Sequence, residues 1–356
     1  MKLTKILLFS FISLNALACT GLQLKAQDNS YVNGRTVEFG IPLDISGVVI
    51  PRNYEFEGSL PDGSAGLKYK SKYAAVGGGM FGSTNIADGV NEKGLAIGDF
   101  YFQGYATYTP VTAANKNHAL SPTDFSNWII TQFASVDEVK KALNSVVIVA
   151  TTPKGWPLLP PFHYVVYDKS GKSIVIEPIN GKLKVYDNPI GVMTNSPTFD
   201  WQMTNLSNYI NLSPENVENK TILGYQIPNF GQGSGLLGLP GDFTSPSRFV
   251  RAAFFSASAV PSATSDQAVL QAFHILNQFD IPVGAVRQMT NGQSSDDQTI
   301  VTTVKDPTHL KYYFKSYDDQ SIKMVDLTQF DLNAKTIKTF AMKSPQPILD
   351  VSNTAK

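Results

Sequence analysis

Apolar and polar residues alternate along much of the chain, with short turn-forming clusters between the runs. Residues 22–26, the cluster Asp28-Asn29-Ser30 and residues 31–39 predict a first hairpin. Residues 47–51 predict a short strand, and 94–108 a strand with its exit. Residues 163–195 read as a meander, with strands over 164–168, 173–179, 182–186 and 192–195. The Asn180-Gly181 step inside it is a strong short-range hairpin signal. Residues 298–305 and 310–316 form a further pair, followed by 322–327. Helical patterns fall between these blocks. Ser121-Pro122 supplies an N-cap and a first helical position, and Phe125, Trp128, Ile129 and Phe133 follow at helical spacing. Ser135 with Glu138 reads as a capping box for a second helix through residue 143, and 247–257 and 266–279 predict two more. Strands come in groups and helices in pairs. That predicts an α+β fold of two antiparallel sheets with helices outside.

Composition narrows the function classes. The 356 residues are 42% hydrophobic and 16% charged, which supports a large core and excludes disorder. Lys+Arg and Asp+Glu are each 29, so there is no electrostatic case for nucleic acid or an anionic membrane. There is no internal repeat or obvious linker, and no run long enough to span a bilayer. One cysteine, Cys19, excludes an intramolecular disulfide and a multi-Cys zinc site. The four histidines are scattered, and neither metal nor cofactor is expected.

The position of that cysteine matters. Lys2 and Lys5 precede a short apolar run, which ends in Ala16-Leu17-Ala18. This reads as a secretory signal peptide, residues 1–18, cleaved before Cys19. The expected organisation is a removed signal and one domain over 19–356, in a periplasmic or secreted protein. A lipoprotein also starts at cysteine, but its signal usually has Leu three residues earlier, where this chain has Ala16.

A cysteine at the start of a chain carries its own base. The α-amino group has a pKa of about 7.7–8.0 and a free thiol about 8.5, so the amine is placed and poised to take the thiol proton. Such a nucleophile needs a group to hold the amine, a cation to favour the thiolate and donors for an oxyanion. The strand segment Gly34-Arg35-Thr36-Val37-Glu38-Phe39 offers partners: Arg35 would lower the thiol pKa and Glu38 would fix the amine. On spacing alone the two read more readily as an exposed cross-strand ion pair.

The start Cys19-Thr20-Gly21-Leu22, together with residues 34–39, resembles the choloylglycine hydrolase family of bile salt hydrolases and penicillin V acylases. Residues 89–95 (Gly-Val-Asn-Glu-Lys-Gly-Leu), 167–171, 192–197 and 238–249 resemble further blocks of that family, in order. The resemblance implies a four-layer αββα N-terminal nucleophile hydrolase that cleaves a linear, non-peptide amide. It implies Cys19 as nucleophile, Arg35 beside the thiol, Asn195 as an oxyanion donor and Arg248 as a second site arginine. Glu38 stands where most members have Asp for the α-amine. Tyr101 falls at a position whose backbone N–H donates to the oxyanion, and where penicillin V acylases tend to have Tyr. The substrate would be a small-molecule amide joining an apolar acyl group to a small polar amine: a bile salt, penicillin V or an N-acyl homoserine lactone. A homotetramer is expected by analogy. The alternative is a lipid-anchored binding protein with an inert Cys19.

Other signals are weaker. Residues 231–241 are glycine-rich without the Lys-Ser/Thr of a phosphate loop, and read as a substrate-side loop. His163 reads as a core or edge histidine, and Asp296-Asp297 as a solvated turn. Phe81, Phe100, Tyr101 and Phe102 are expected to contribute to an apolar acyl pocket.

Overall fold

A computed structural model describes residues 18–290 and 292–354. Apart from Ala18, the segment read as a signal lies outside the described residues. The strands of two large sheets are, in chain order, Cys19–Lys25 (β1), Tyr31–Phe39 (β2), Ser46–Ile50 (β3), Ala75–Gly79 (β4), Asp88–Asn91 (β5), Leu95–Tyr101 (β6), Phe162–Asp168 (β7), Ser173–Ile179 (β8), Lys182–Asp187 (β9), Val286–Thr290 (β10), Gln293–Asp306 (β11), Lys311–Ser316 (β12), Asp319–Asp326 (β13) and Lys338–Ala341 (β14). One sheet runs β1-β2-β11-β12-β13, with β10 hydrogen-bonded to β11, and the other runs β9-β8-β7-β6-β5-β4-β3-β14. The pairings in both are antiparallel.

Helices Pro122–Gln132 (α1) and Val136–Ala142 (α2) pack on the eight-stranded sheet. Helix Phe199–Asn205 (α3) packs against Ser245–Ser258 (α4), and α4 with Ser265–Leu276 (α5) covers β1 and β2. The two sheets face each other across the apolar core, giving the four-layer αββα sandwich.

Local chemistry explains most of these elements. Asn29 turns the first hairpin at φ 67°, a left-handed conformation that Asn tolerates. Ser121 caps α1 through a complete box with Asp124. At α2 the box is incomplete: Ser135 caps Glu138 N–H, but the Glu138 carboxylate accepts from Ala134 N–H, one residue upstream of the cap. Residues 89–95 form the β5–β6 turn. There Asn91 Oδ1 accepts from the N–H of Lys93 and Leu95, while Nδ2 donates to the carbonyls of Ile130 and Phe133 and ties the turn to α1. The strand expected over 192–195 is reduced to a single bridge, Gly21 with Met193. Its apolar pattern comes from burial beside β1 rather than from a ladder.

Candidate active site

Register decides which side chains meet Cys19. Across the first hairpin, Cys19 lies opposite Val37 and Gly21 opposite Arg35. Strand side chains alternate, so Arg35 and Val37 share the face of Cys19, and Thr36 and Glu38 share the face of Thr20. Arg35 is buried between the sheets and donates from Nη2 to Cys19 Sγ at 3.0 Å. Its Nη1 donates to the Asp99 carbonyl at 2.6 Å, and its guanidinium lies 4.1 Å from the Phe100 ring centroid. The thiol feels opposing effects. Burial pushes its pKa up, Arg35 and Arg248 pull it down, Glu38 raises it, and burial prevails.

Asn195 reaches Cys19 from beside β1. The bridge Gly21 N–H to Met193 O (2.7 Å) and Met193 N–H to Gly21 O (3.0 Å) lays residues 193–195 along the strand. Asn195 Oδ1 accepts from Cys19 N–H at 2.7 Å and from Arg248 Nη2 at 2.7 Å, and Nδ2 donates to the Tyr101 carbonyl at 3.0 Å. An amide nitrogen carries two protons, so one Nδ2–H remains beyond this bond.

Arg248 stands in the first turn of α4. It donates from Nε to Phe243 O, and from Nη1 to the Cys19 carbonyl and to Thr20 Oγ1. Cys19 is therefore contacted at sulfur, nitrogen and carbonyl oxygen by three of the other five residues singled out from the sequence.

Glu38, expected to hold the freed amine, lies on the strand face opposite to that of Arg35. A step of three residues along a strand reverses the face, so Glu38 lies away from the thiol, and Cys19 N–H goes to Asn195 instead. The Glu38 backbone N–H donates to the Ala18 carbonyl at 2.9 Å. Its carboxyl is fully buried, with Oε1 3.4 Å from Thr299 Oγ1 and no partner on Oε2. Burial pushes the carboxyl up to about 8 against the pull of Arg248, Thr36 and Arg35.

A cavity of about 350 Å³ opens beside Ala18, Asn195 and Arg248. Tyr101, Phe243, Ile281 and Val286 supply apolar walls. Tyr101 is the one residue of the four expected aromatics that lines it. Phe100 lies under Arg35, Phe102 stacks on His163 at 4.2 Å, and Phe81 packs on Trp156. The glycine-rich residues 231–241 do not line this cavity, although Phe243, Thr244 and Ser245 immediately after them do.

Two supporting residues escape a sequence reading. Ser245 Oγ accepts from Asn195 N–H at 2.9 Å, and buried His163 sits with Nε2 3.1 Å from the Thr194 carbonyl. Together they fix the segment carrying Asn195. Among the described residues no group of three or more His, Cys, Asp or Glu side chains gathers as a metal site.

Comparison with known proteins gives the family and the fold. Residues 19–340 match the model of the linear amide C–N hydrolases, choloylglycine hydrolase family. A bile salt hydrolase/transferase of Clostridium perfringens is 34% identical over 324 residues, covering 90% of this chain and 96% of its own. A penicillin V acylase of Pectobacterium atrosepticum is 29% identical, covering 89% and 82%. The crystal structure of a cysteine-to-alanine variant of the C. perfringens conjugated bile acid hydrolase superposes with a TM-score of 0.83 at 33% identity, covering 94% of this chain and all of that one.

Proposed function

The chain belongs to the choloylglycine hydrolase family and is a linear amide C–N hydrolase, and from that premise we propose that Cys19 is its nucleophile, acting as the first residue of a processed chain. One observation carries the reading: Arg35, Asn195 and Arg248 converge on the sulfur, nitrogen and carbonyl oxygen of this one residue. That the family match begins at Cys19 supports it further.

In the proposed reaction, the freed α-amine takes the thiol proton and the thiolate attacks the amide carbonyl. The tetrahedral oxyanion is held by the second Nδ2–H of Asn195 and the backbone N–H of Tyr101. The protonated amine then gives its proton to the leaving nitrogen as the C–N bond breaks. Water hydrolyses the thioester with the same amine as base. Arg248 holds the Cys19 carbonyl and so limits the swing of the residue. With residue 18 removed, the ammonium is free to turn toward Glu38, whose charged form it would favour.

The apolar walls support a substrate with an apolar acyl group on a small polar amine, within the classes of bile salts, penicillin V and N-acyl homoserine lactones. Residues 1–18 serve as the signal that makes the enzyme periplasmic or secreted. A homo-oligomer is supported by the exposed hairpin Lys220–Ile222 and Tyr225–Ile227, whose Leu223 and Tyr225 are bare. Lipidation of Cys19 with acylation of its amine would remove the base and leave a binding protein. The test is a panel of glycocholate, taurocholate, penicillin V and acyl homoserine lactones with Cys19→Ala as control. Amine release by the parent and none by the variant is expected. Retained activity in Cys19→Ala contradicts the mechanism.

A further inference from the structure

The segment that carries Asn195 is held at both ends by two buried side chains that the proposed reaction does not use. Glu177 on β8 and His163 on β7 are 0% and 1% exposed. Upstream of Asn195, His163 Nε2 lies 3.1 Å from the Thr194 carbonyl. Downstream, Glu177 Oε1 accepts from the N–H of Phe199, the first residue of α3, at 2.8 Å. The same imidazole also touches the segment of the second proposed oxyanion donor. It stacks on Phe102, the residue after Tyr101, with centroids 4.2 Å apart and planes at 11°. The Tyr101 carbonyl in turn accepts from Asn195 Nδ2. His163 thus stands between the two stretches of chain that supply the proposed oxyanion donors.

The contacts of this pair require one proton more than a neutral imidazole and a carboxylate supply. A carbonyl oxygen only accepts, so Nε2 carries a proton to bond Thr194. In a neutral imidazole that leaves Nδ1 as a lone-pair acceptor. Nδ1 faces Glu177 Oε1 at 3.5 Å, and an ionised carboxylate is acceptor-only as well. Two acceptors facing each other in a dry interior cost free energy unless a proton lies between them. One shared proton satisfies every contact: Oε1 keeps Phe199, Nδ1 faces a hydrogen, and Nε2–H keeps Thr194. Burial, the largest influence, and Arg35 disfavour a charge on the imidazole, while Glu177 favours it. With the proton shared, the pair is neutral overall whichever atom holds it. The other holds on Asn195 are uncharged, Ser245 Oγ at its N–H and Gln202 Nε2 at its carbonyl.

We propose that Glu177 and His163 are positioning residues of the oxyanion site: they hold one proton between them, which fixes Nε2–H on the Thr194 carbonyl and so sets where Asn195 and Tyr101 stand. The proposal rests on the hydrolase reading and extends it to two residues outside the substrate cavity. Glu177→Gln isolates the proton. It keeps the size and one acceptor but cannot carry the extra hydrogen. A neutral His163 then has one N–H for two acceptors, the Thr194 carbonyl and the new amide oxygen. An amide turned to donate to Nδ1 abandons Phe199 instead. Either way one end of the segment is released.

The experiment measures kcat and KM on the amide that the parent cleaves best, and the rate of Cys19 alkylation by iodoacetamide. His163→Phe, which keeps a ring on Phe102 but has no N–H, is the second variant. Both variants are expected to lose about a hundredfold in kcat with KM little changed, because misplaced oxyanion donors cost rate rather than binding. Alkylation uses no oxyanion site, and its rate is expected to stay at the parental level. The 15N spectrum of the ring is the direct signature, with His163 assigned among the four histidines by its absence from His163→Phe. The parent is expected to carry a proton on Nε2, and Glu177→Gln to populate the form with its proton on Nδ1 alone. Parental kcat in Glu177→Gln, a loss confined to KM, a loss matched by altered alkylation, or a parent ring without a proton on Nε2 overturns the proposal. Should His163→Phe fail to fold, Glu177→Gln decides, and the ring is assigned by pairing each other histidine variant with the parent. If the parent releases amine from no amide of the panel, the hydrolase reading itself fails and the proposal falls with it. An active parent whose kcat is indifferent to Glu177 removes the positioning claim alone.

Discussion

Burial by itself would hold the Cys19 thiol protonated, because a thiolate loses its hydration between two sheets. Arg35 is the strongest opposing influence, with Nη2 3.0 Å from Sγ. In the proposed mechanism, removing that charge leaves burial less opposed and moves thiolate formation to higher pH. For Arg35→Met, the midpoint of a thiol alkylation rate against pH is expected to rise, with slower alkylation below it. An unchanged or lower midpoint would show that Arg35 does not act on the thiol. The position of Arg35 was legible in the sequence, because two strands joined by a three-residue turn must place it near the start of the first. Glu38 was only half legible. Its closeness follows from the same hairpin, but its face follows from alternation, and 35 and 38 are an odd number of residues apart. Asn195 and Arg248 became legible only through resemblance, because their approach to Cys19 spans more than 170 residues of chain.

At the scale of elements, β1 must admit Arg35 and Phe100 beneath it. Gly21 lies opposite Arg35, and a Cβ there would stand 2.8 Å from Phe100 Cζ. The absent side chain lets the ring pack flat under the guanidinium. Gly21→Ala should force Phe100 against Arg35 and destabilise the fold by about 1–3 kcal/mol, the usual range for overpacking. Urea unfolding measures this, and an unchanged midpoint would mean that the ring can shift freely. Strands bounded by clear turn clusters, such as β2 and β8, could be read from sequence to within a residue or two. Strands β4 and β5 could not. Their residues are buried on both faces and rich in glycine, so there is no alternation to detect. The Asp296-Asp297 segment was misread for a related reason. Two acids in a row suggest solvent, yet on a strand they point to opposite faces, one outward to Arg287 and one into a cavity.

The whole molecule depends on how the two sheets are pinned together behind Cys19. Asp88 on β5 accepts from Lys305 Nζ at 2.6 Å and from Thr303 Oγ1 at 2.7 Å, both on β11, and from the Tyr312 hydroxyl at 3.2 Å. Both members of the ion pair are almost fully buried, and Asp88 also acts on the charge of Arg35. No sequence pattern joins Asp88 to Lys305, since they are 217 residues apart. Two antiparallel sheets with helices outside were legible from the grouping of strands and pairing of helices, and the four-layer order from the resemblance. The sandwich buries Ala18 along with Cys19, so the peptide nitrogen that meets Asn195 becomes a base only when the preceding segment is gone. The most direct test of the central claim is therefore the intact mass of the enzyme that turns over substrate. The account predicts a chain beginning at Cys19 with an unmodified amine. An active enzyme that retains residues before Cys19, or that carries an acyl group on that amine, would contradict it.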